Sequence, residues 1–208
     1  MKHWLEIEKY EATGRLGPRD RQFVTVWFHG CDRNCPGCVA ADWNQKREVD
    51  LRVTPELFAW MLTEEHDPDG LVLSGGEPFR QAAGIAAFLE KADSILGRRL
   101  DLMVYTGYRY EELMQMAQEN AGVRALLERT DILIDGEYIA ALDDGLLIRG
   151  SSNQRVLFLT DRYTASDLPM EGRREVSLSV SGGEMSLTGI PSGEAKTVWC
   201  ILKKKFGT

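Results

Sequence analysis

The chain has 208 residues, of which 43% are hydrophobic and 27% charged, so it fits one globular domain with a substantial core. Its 25 basic and 32 acidic residues give a net charge of −7. The basic run at Lys203–Lys205 is too short to form a basic stripe, which argues against nucleic-acid binding, and no apolar stretch is long enough to span a membrane.

The amino-terminal residues 1–20 predict one or two short strands and a turn at Gly14, Gly17 and Pro18. They contain no apolar segment typical of a secretory leader, which favours a cytoplasmic protein. In that reducing compartment, clustered cysteines indicate a metal site or catalysis rather than disulfide bonds. The lone Cys200 is predicted to be a small buried hydrophobic residue in the last helix.

The apolar residues 22–28 predict a strand that is buried on both faces, as in a parallel sheet. Three cysteines follow within eight residues, at Cys31, Cys35 and Cys38. Their spacing favours an iron–sulfur cluster with one open iron position over a zinc ion. The zinc interpretation stays open, with His29 or Cys200 as the fourth ligand.

Strands and helices then alternate along the chain. A helix begins at Thr54-Pro55-Glu56, and its core face is predicted to carry Leu57, Trp60 and Met61. Further strands are predicted at 71–73, 100–105 and 132–134, and further helices at 79–96 and 110–128. Repeated strand–helix units predict an α/β fold in which parallel strands form a partial (βα) barrel.

The pattern changes near residue 170. Alternating apolar residues on both sides of Gly182-Gly183 predict a β-hairpin, and a final helix extends to about residue 205. We therefore expect a single domain over 1–208, with a core at about 20–160 and a hairpin–helix extension at about 170–206.

Unusual turns follow the predicted parallel strands, which places them at one edge of the sheet. These turns are Gly75-Gly76-Glu77-Pro78, Thr106-Gly107-Tyr108 and Asp135-Gly136. The paired glycines allow the backbone to approach a ligand that a Cβ atom would block. The polar run 149–155 is either a solvated turn or a source of hydroxyl, amide and guanidinium groups for a bound anionic group.

These motifs resemble those of the radical S-adenosylmethionine enzymes, and within them the anaerobic ribonucleotide reductase activating proteins. The matching stretches are CPGC at 35–38, LSGGEP at 73–78, YTGY with EEL at 105–113, and DILIDGEY and RGSSNQR within 131–155. The resemblance covers about residues 20–158. It implies that Cys31, Cys35 and Cys38 hold a 4Fe–4S cluster whose open iron binds S-adenosylmethionine.

The resemblance also implies which other residues contact S-adenosylmethionine. Gly75, Gly76, Glu77 and Pro78 would bind its amino group, Gly37 and Val39 would lie against the adenosyl part, and Thr106, Asp135, Ser151 and Asn153 would complete the site. One electron, from a flavodoxin-type reductant, would then release a 5′-deoxyadenosyl radical. That radical would take a hydrogen atom from a glycine of a partner glycyl radical enzyme.

Two departures from the family pattern keep alternatives open. Val39 stands where the family usually has an aromatic residue, and Trp43 is shifted in sequence. The segment beyond about residue 160 also exceeds the smallest activating proteins. A radical enzyme that acts on another peptide or a small molecule is therefore the first alternative, and a non-enzymatic zinc module is the second.

Overall fold

A computed structural model describes residues 3–12, 17–38, 40–41, 48–49, 51–170, 174, 176–181, 184–189, 191 and 193–206. The predictions for Val39, Trp43 and the Gly182-Gly183 turn concern residues outside this set.

The described residues contain a seven-stranded mixed sheet. Its strands are β1 Leu5–Ala12, β2 Phe23–Phe28, β3 Leu51–Val53, β4 Gly70–Gly75, β5 Asp101–Thr106, β6 Ile132–Asp135 and β7 Arg155–Phe158. They lie in the order β3-β1-β2-β4-β5-β6-β7. The central strands β2, β4, β5 and β6 are parallel, while β1, β3 and β7 pair antiparallel at the two sides. The predicted α/β class with a partial barrel is confirmed, and the sheet does not close.

Burial on both faces explains why the central strands are apolar throughout. Every residue of β2 is buried, and β2 pairs in register with β4 from Phe23–Gly70 to Phe28–Gly75. One face of the sheet contributes to the main hydrophobic core, and the other face to a smaller core with Ile148, Tyr163 and Leu168. Because the parallel strands run together, their carboxyl ends form one edge.

The described helices are α1 Pro55–Glu65, α2 Ala82–Leu96, α3 Tyr110–Glu119, α4 Ala121–Arg129 and α5 Gly193–Phe206. The predicted start of α1 is confirmed, since the Thr54 hydroxyl accepts a hydrogen bond from the Leu57 N–H at 3.3 Å. The predicted core face was wrong for Leu57 and Trp60, whereas Met61 is partly buried and packs against the core. Leu57 and Trp60 are 50% and 55% exposed, whereas Phe58, Ala59 and Leu62 are buried.

The prediction of a single helix over 110–128 was also wrong, because two helices lie there and are separated at Asn120. The Asn120 N–H ends α3 by donating to the Met116 carbonyl at 2.9 Å. Its side-chain oxygen begins α4 by accepting from the N–H groups of Gly122 and Val123 at 3.0 and 3.2 Å. Asparagine favours the N-cap position over a helix interior, because its side chain can accept hydrogen bonds from the free N–H groups of the first turn.

Beyond the sheet, β8 Ser177–Ser181 and β9 Glu184–Thr188 pair antiparallel as predicted, and α5 follows. Cys200 lies on α5 and is exposed, so the prediction of a buried residue was wrong. No helix among the described residues combines the length and the apolar character that a bilayer crossing requires. The division into core and extension stays a prediction.

Candidate active site

The turn after β4 is hydrogen-bonded to the end of β2 and to the loop that follows it. The Gly76 N–H donates to the Phe28 carbonyl at 2.7 Å, and the Glu77 N–H donates to the Gly30 carbonyl at 2.8 Å. Gly30 immediately precedes Cys31. The structure therefore places the Gly75–Pro78 turn directly beside the start of the cysteine loop.

This close backbone approach requires both glycines. Gly75 has φ +98°, and a Cβ there would lie 2.5 Å from the backbone nitrogen of Phe28. A Cβ on Gly76 would lie 2.1 Å from the carbonyl oxygen of Gly30. Any side chain at either position would push the cysteine loop away from the sheet edge.

The carboxylate of Glu77 joins the ends of β4 and β5. It is buried and accepts from the Thr106 hydroxyl at 2.9 and 3.0 Å and from the Gly107 N–H at 2.8 Å. It also accepts from the Phe79 N–H at 3.1 Å. Burial outweighs these hydrogen bonds and raises the pKa of Glu77 from 4.5 to about 7.

The raised pKa of Glu77 predicts how the stability of the cluster-free protein depends on pH. The folded state holds the proton more tightly than the unfolded chain. The unfolded chain therefore loses this proton between pH 4.5 and about 7 while the folded protein keeps it, and this stabilises the unfolded chain relative to the folded protein. We expect this group to lower the free energy of unfolding by about 3 kcal/mol across that window, and the loss to remain at higher pH. Urea unfolding at pH 5 and pH 8 measures it.

Glu77→Gln is the matched variant for this experiment, because it removes the titration. The amide pairs poorly with three donors, so the variant should be less stable at every pH. The difference in stability between the two pH values is the informative quantity. Equal differences in Glu77→Gln and wild type would contradict the prediction.

The three cysteines are partly buried in a loop with several left-handed residues. The Cys38 N–H donates to the Cys35 carbonyl at 3.1 Å, and Gly37 turns the chain there with φ +76°. Burial raises the pKa of the Cys31 thiol, and the charges of Glu77 and Asp32 add to that rise. Burial also raises the pKa of Cys35, while a hydrogen bond from the Tyr138 backbone opposes it. The raised pKa values favour protonated thiols. A bound metal would favour thiolates instead, because a coordinated thiol is deprotonated.

The side chains of Asp32 and Arg33, which lie between the first two cysteines, contact the turn after β5. The guanidinium of Arg33 donates to the Gly107 carbonyl at 2.8 Å and stacks 4.4 Å from the centre of the Tyr108 ring. The Tyr108 hydroxyl donates to the carboxylate of Asp32 at 3.1 Å. No sequence pattern indicates a role for Asp32 or Arg33, because only the fold brings this loop and this turn together.

His29, the fourth zinc ligand considered above, contacts the buried carboxylate of Glu8 through Nδ1. Gln81 holds the adjoining backbone, since its amide nitrogen donates to the carbonyls of Glu6 and His29 at 3.0 and 3.1 Å. Among the residues that the structure describes, no three His, Cys, Asp or Glu side chains are gathered closely enough to ligate one metal ion. A cluster of several irons has its thiolate ligands farther apart than a single ion does.

Asp135 ends β6 and is fully buried. Its carboxylate accepts from the Tyr110 N–H at 2.8 Å and from Nε of Arg155 at 2.9 Å. Arg109 lies 3.6 Å from the same carboxylate. These contacts place Asp135 at the predicted edge, where it ties β6 to the start of α3 and to β7.

The polar run 149–155 lies against the loop that follows β6. The Ser151 hydroxyl accepts from the Ile139 N–H at 3.1 Å, and the Asn153 amide donates to the Glu137 carbonyl at 2.8 Å. The side-chain oxygen of Asn153 is buried and has no hydrogen-bond partner among the described residues. Direct contact of Ser151 and Asn153 with S-adenosylmethionine stays a prediction.

The residues at this edge fit an iron–sulfur cluster with an additional ligand. Three partly buried thiols are the soft donors that iron–sulfur clusters require. The glycine turn brings backbone groups within reach, and the unpaired oxygen of Asn153 is an acceptor for a ligand that carries N–H groups.

The sequence matches to known proteins agree with a cysteine-held cluster at this edge. Residues 16–157 match the family model of the 4Fe-4S single cluster domain. The anaerobic ribonucleoside-triphosphate reductase-activating protein of Salmonella typhi is 31% identical over 146 residues, which cover 67% of this chain and 89% of the relative. Its namesake from Escherichia coli is 29% identical over 146 residues with the same coverage. QueE from Escherichia coli superposes on 51% of this chain and 53% of its own, with a TM-score of 0.38 and 14% identity.

The match extends over more than half of the chain and nearly the whole of the activating proteins. It confirms the predicted protein family and enzyme class. It also confirms the predicted cofactors, which are a 4Fe–4S cluster and S-adenosylmethionine. The zinc module is not supported, since the matching model is an iron–sulfur domain. This chain therefore belongs to the 4Fe-4S single cluster domain family and, within the radical S-adenosylmethionine enzymes, to the anaerobic ribonucleoside-triphosphate reductase-activating proteins.

Proposed function

We propose that this protein activates a glycyl radical enzyme, an anaerobic ribonucleoside-triphosphate reductase, by removing a hydrogen atom from one of its glycines. The observation that carries the proposal is the start of the cysteine loop held against the Gly75–Pro78 turn by backbone hydrogen bonds to Phe28 and Gly30. The names of the relatives, which match over 89% of their length, support the choice of partner.

In this proposal Cys31, Cys35 and Cys38 are the cluster ligands, and the fourth iron is left for S-adenosylmethionine. When bound, the cluster and S-adenosylmethionine supply one electron and a 5′-deoxyadenosyl group that takes up the hydrogen atom. The protein positions these groups and keeps water out of the site.

The Gly75–Pro78 turn is assigned to the amino group of S-adenosylmethionine. The N–H groups of Gly76 and Glu77 already donate to the end of β2 and to the start of the cysteine loop, so they hold the turn in place rather than bind the ligand. The N–H groups of that amino group are donors and need acceptors, which the Gly76 carbonyl oxygen can supply. The buried carboxylate of Glu77 fixes the turn from the other side, through Thr106 and Gly107.

Several finer assignments belong to the same proposal. Gly37 and Val39 contact the adenosyl part, Thr106 and Asp135 shape the edge of the site, and the whole chain 1–208 works as one domain. A flavodoxin-type protein is the proposed electron donor, because the reaction needs one electron at a time. We place the protein in the cytoplasm, where thiols stay reduced.

Anaerobic reconstitution followed by a radical assay tests the proposal. The reduced protein, with S-adenosylmethionine and an anaerobic ribonucleoside-triphosphate reductase, should give a glycine-centred radical signal by electron paramagnetic resonance. The amount of 5′-deoxyadenosine should match the radical formed. The control is the same reductase with its radical glycine changed to alanine, which should give no signal.

Formation of 5′-deoxyadenosine without a glycine radical would contradict this choice of partner. It would favour the alternative in which the hydrogen donor is another peptide or a small molecule.

A further inference from the structure

Arg33 lies midway between the first two cysteines and reaches three other parts of the sheet edge. Its Nη2 donates to the Gly107 carbonyl at 2.8 Å and to the Glu112 carboxylate at 3.1 Å. Its Nε lies 3.5 Å from the Glu137 carboxylate. One side chain of the cysteine loop thus contacts the turn after β5, the first turn of α3 and the loop after β6.

The turn after β5 is shaped to receive this side chain. A Cβ on Gly107 would lie 2.9 Å from Cγ of Arg33, so the glycine leaves the space in which the arginine crosses the turn. The guanidinium stacks on the ring of Tyr108, whose hydroxyl donates to Asp32. Two consecutive residues of the cysteine loop therefore contact the same tyrosine.

The groups that Arg33 contacts are themselves fixed. Gly107 directly follows β5, and its N–H donates to the buried carboxylate of Glu77 at 2.8 Å. The carboxylate of Glu112 also accepts from the Arg109 N–H at 2.5 Å, which caps α3. The middle of the cysteine loop is thus attached to the ends of a strand and a helix, and the Arg33 side chain is only 20% exposed.

A loop that is attached in this way is restricted before any metal binds. A free loop has to lose conformational entropy when its cysteines gather around a cluster, and that loss weakens binding. A loop that is already ordered avoids most of this cost. The Glu77 N–H fixes the start of the loop at the Gly30 carbonyl, and Arg33 fixes its middle.

We propose that Arg33 is a positioning residue that fixes the cysteine loop against the turn after β5 before the cluster binds, and so holds Cys31 and Cys35 in the arrangement that the cluster needs. The inference rests on the proposed function, because it takes both cysteines to be cluster ligands. Groups that support metal ligands typically account for about 10- to 100-fold in metal affinity.

Arg33→Met tests the inference, because methionine keeps an unbranched stem and removes the guanidinium. The anaerobically reconstituted variant, without S-adenosylmethionine, should lose its iron to a chelator about tenfold faster than wild type. The matched control is Arg124→Met, which removes an arginine that is exposed on α4. This control should lose iron at the wild-type rate.

A second measurement does not need the cluster. In cluster-free Arg33→Met, hydrogen exchange should be faster in the peptides that cover 29–38 and 105–112 and unchanged in the rest of the chain. A residue that only stabilised the whole fold would instead raise exchange throughout and shift unfolding by urea. We expect the urea midpoint of Arg33→Met to stay close to that of wild type.

Arg33→Lys separates geometry from charge, and it also serves if the methionine variant does not fold. Lysine keeps the positive charge but has neither the planar face that stacks on Tyr108 nor a fork of donors. Its rate of iron loss should therefore stay closer to that of Arg33→Met than to wild type. A wild-type rate in Arg33→Lys would show that charge alone suffices and would overturn the positioning role.

The outcomes distinguish this inference from the proposed function. A wild-type rate of iron loss in a fully loaded Arg33→Met protein, or wild-type exchange in its cysteine loop, would overturn the inference and leave the proposed function intact. A wild-type protein that binds no cluster after reconstitution would overturn both.

Discussion

Replacing Cys35 with serine should leave the anaerobically reconstituted protein with almost no bound iron. Serine offers a hard hydroxyl with a high pKa in place of a soft thiolate, and two remaining cysteines cannot hold the cluster. Loss of a group that only supports a metal ligand costs about 10- to 100-fold in metal affinity or activity, so loss of the ligand itself should exceed about 100-fold. Iron and sulfide analysis and the yield of 5′-deoxyadenosine measure the effect.

Cys200→Ser is the matched control, because Cys200 is exposed on α5. This variant should keep the iron content and the 5′-deoxyadenosine yield of wild type. The same loss in both variants would show that the three-cysteine assignment is wrong. Full iron in Cys35→Ser would show the same.

Gly76→Ala should damage the site even though it adds a single methyl group. The new Cβ would lie 2.1 Å from the Gly30 carbonyl oxygen, and that atom belongs to the backbone rather than to a flexible side chain. Overpacking usually costs about 1–3 kcal/mol, and we expect the upper end, about 3 kcal/mol, because the backbone must move. The displaced turn should also weaken S-adenosylmethionine binding by more than about tenfold.

Urea unfolding and equilibrium binding of S-adenosylmethionine measure the two effects of Gly76→Ala. The control is Gly97→Asn, at the end of α2, where a Cβ would meet nothing within 4 Å. Asparagine tolerates the left-handed conformation at φ +66°, so this variant should stay close to wild type. Wild-type stability and binding in Gly76→Ala would refute the close approach seen between the two loops.

Patterns along the chain predicted the sheet correctly where hydrophobic burial is simple. The run at β2 is buried on both faces, which makes it apolar at every position and easy to recognise. The core face of α1 was predicted wrongly at two of three positions, because Leu57 and Trp60 are large and apolar yet half exposed. Apolar character alone does not tell which side of a short helix meets the sheet.

The break at Asn120 illustrates a second limit. The residues on both sides of it favour helix, so the sequence predicts one helix over 110–128. The asparagine caps α4 instead, and Val123, Leu126 and Leu127 are buried as a result. Packing of α4 against the core decided between two local conformations of similar energy.

The candidate site also combines features that the sequence predicted with contacts that it did not predict. The sequence predicted that the cysteine loop and the glycine turn would share an edge, since parallel strands bring their carboxyl ends together. It did not predict that Arg33 would reach Gly107, nor that Asn153 would bind the Glu137 carbonyl. Those contacts join different loops, whose paths depend on the packing of the whole chain.

The amino-acid sequence by itself determined the alternation of the central strands with helices, the spacing of the three cysteines and the glycines that allow close backbone approach. These are local properties, set by hydrophobic periodicity and by the conformations that each residue allows. Only the tertiary structure decided which side chains fix the loops around the cysteines. Hydrogen bonds between loops depend on distances of a few tenths of an ångström, and those distances are set only after the core has packed.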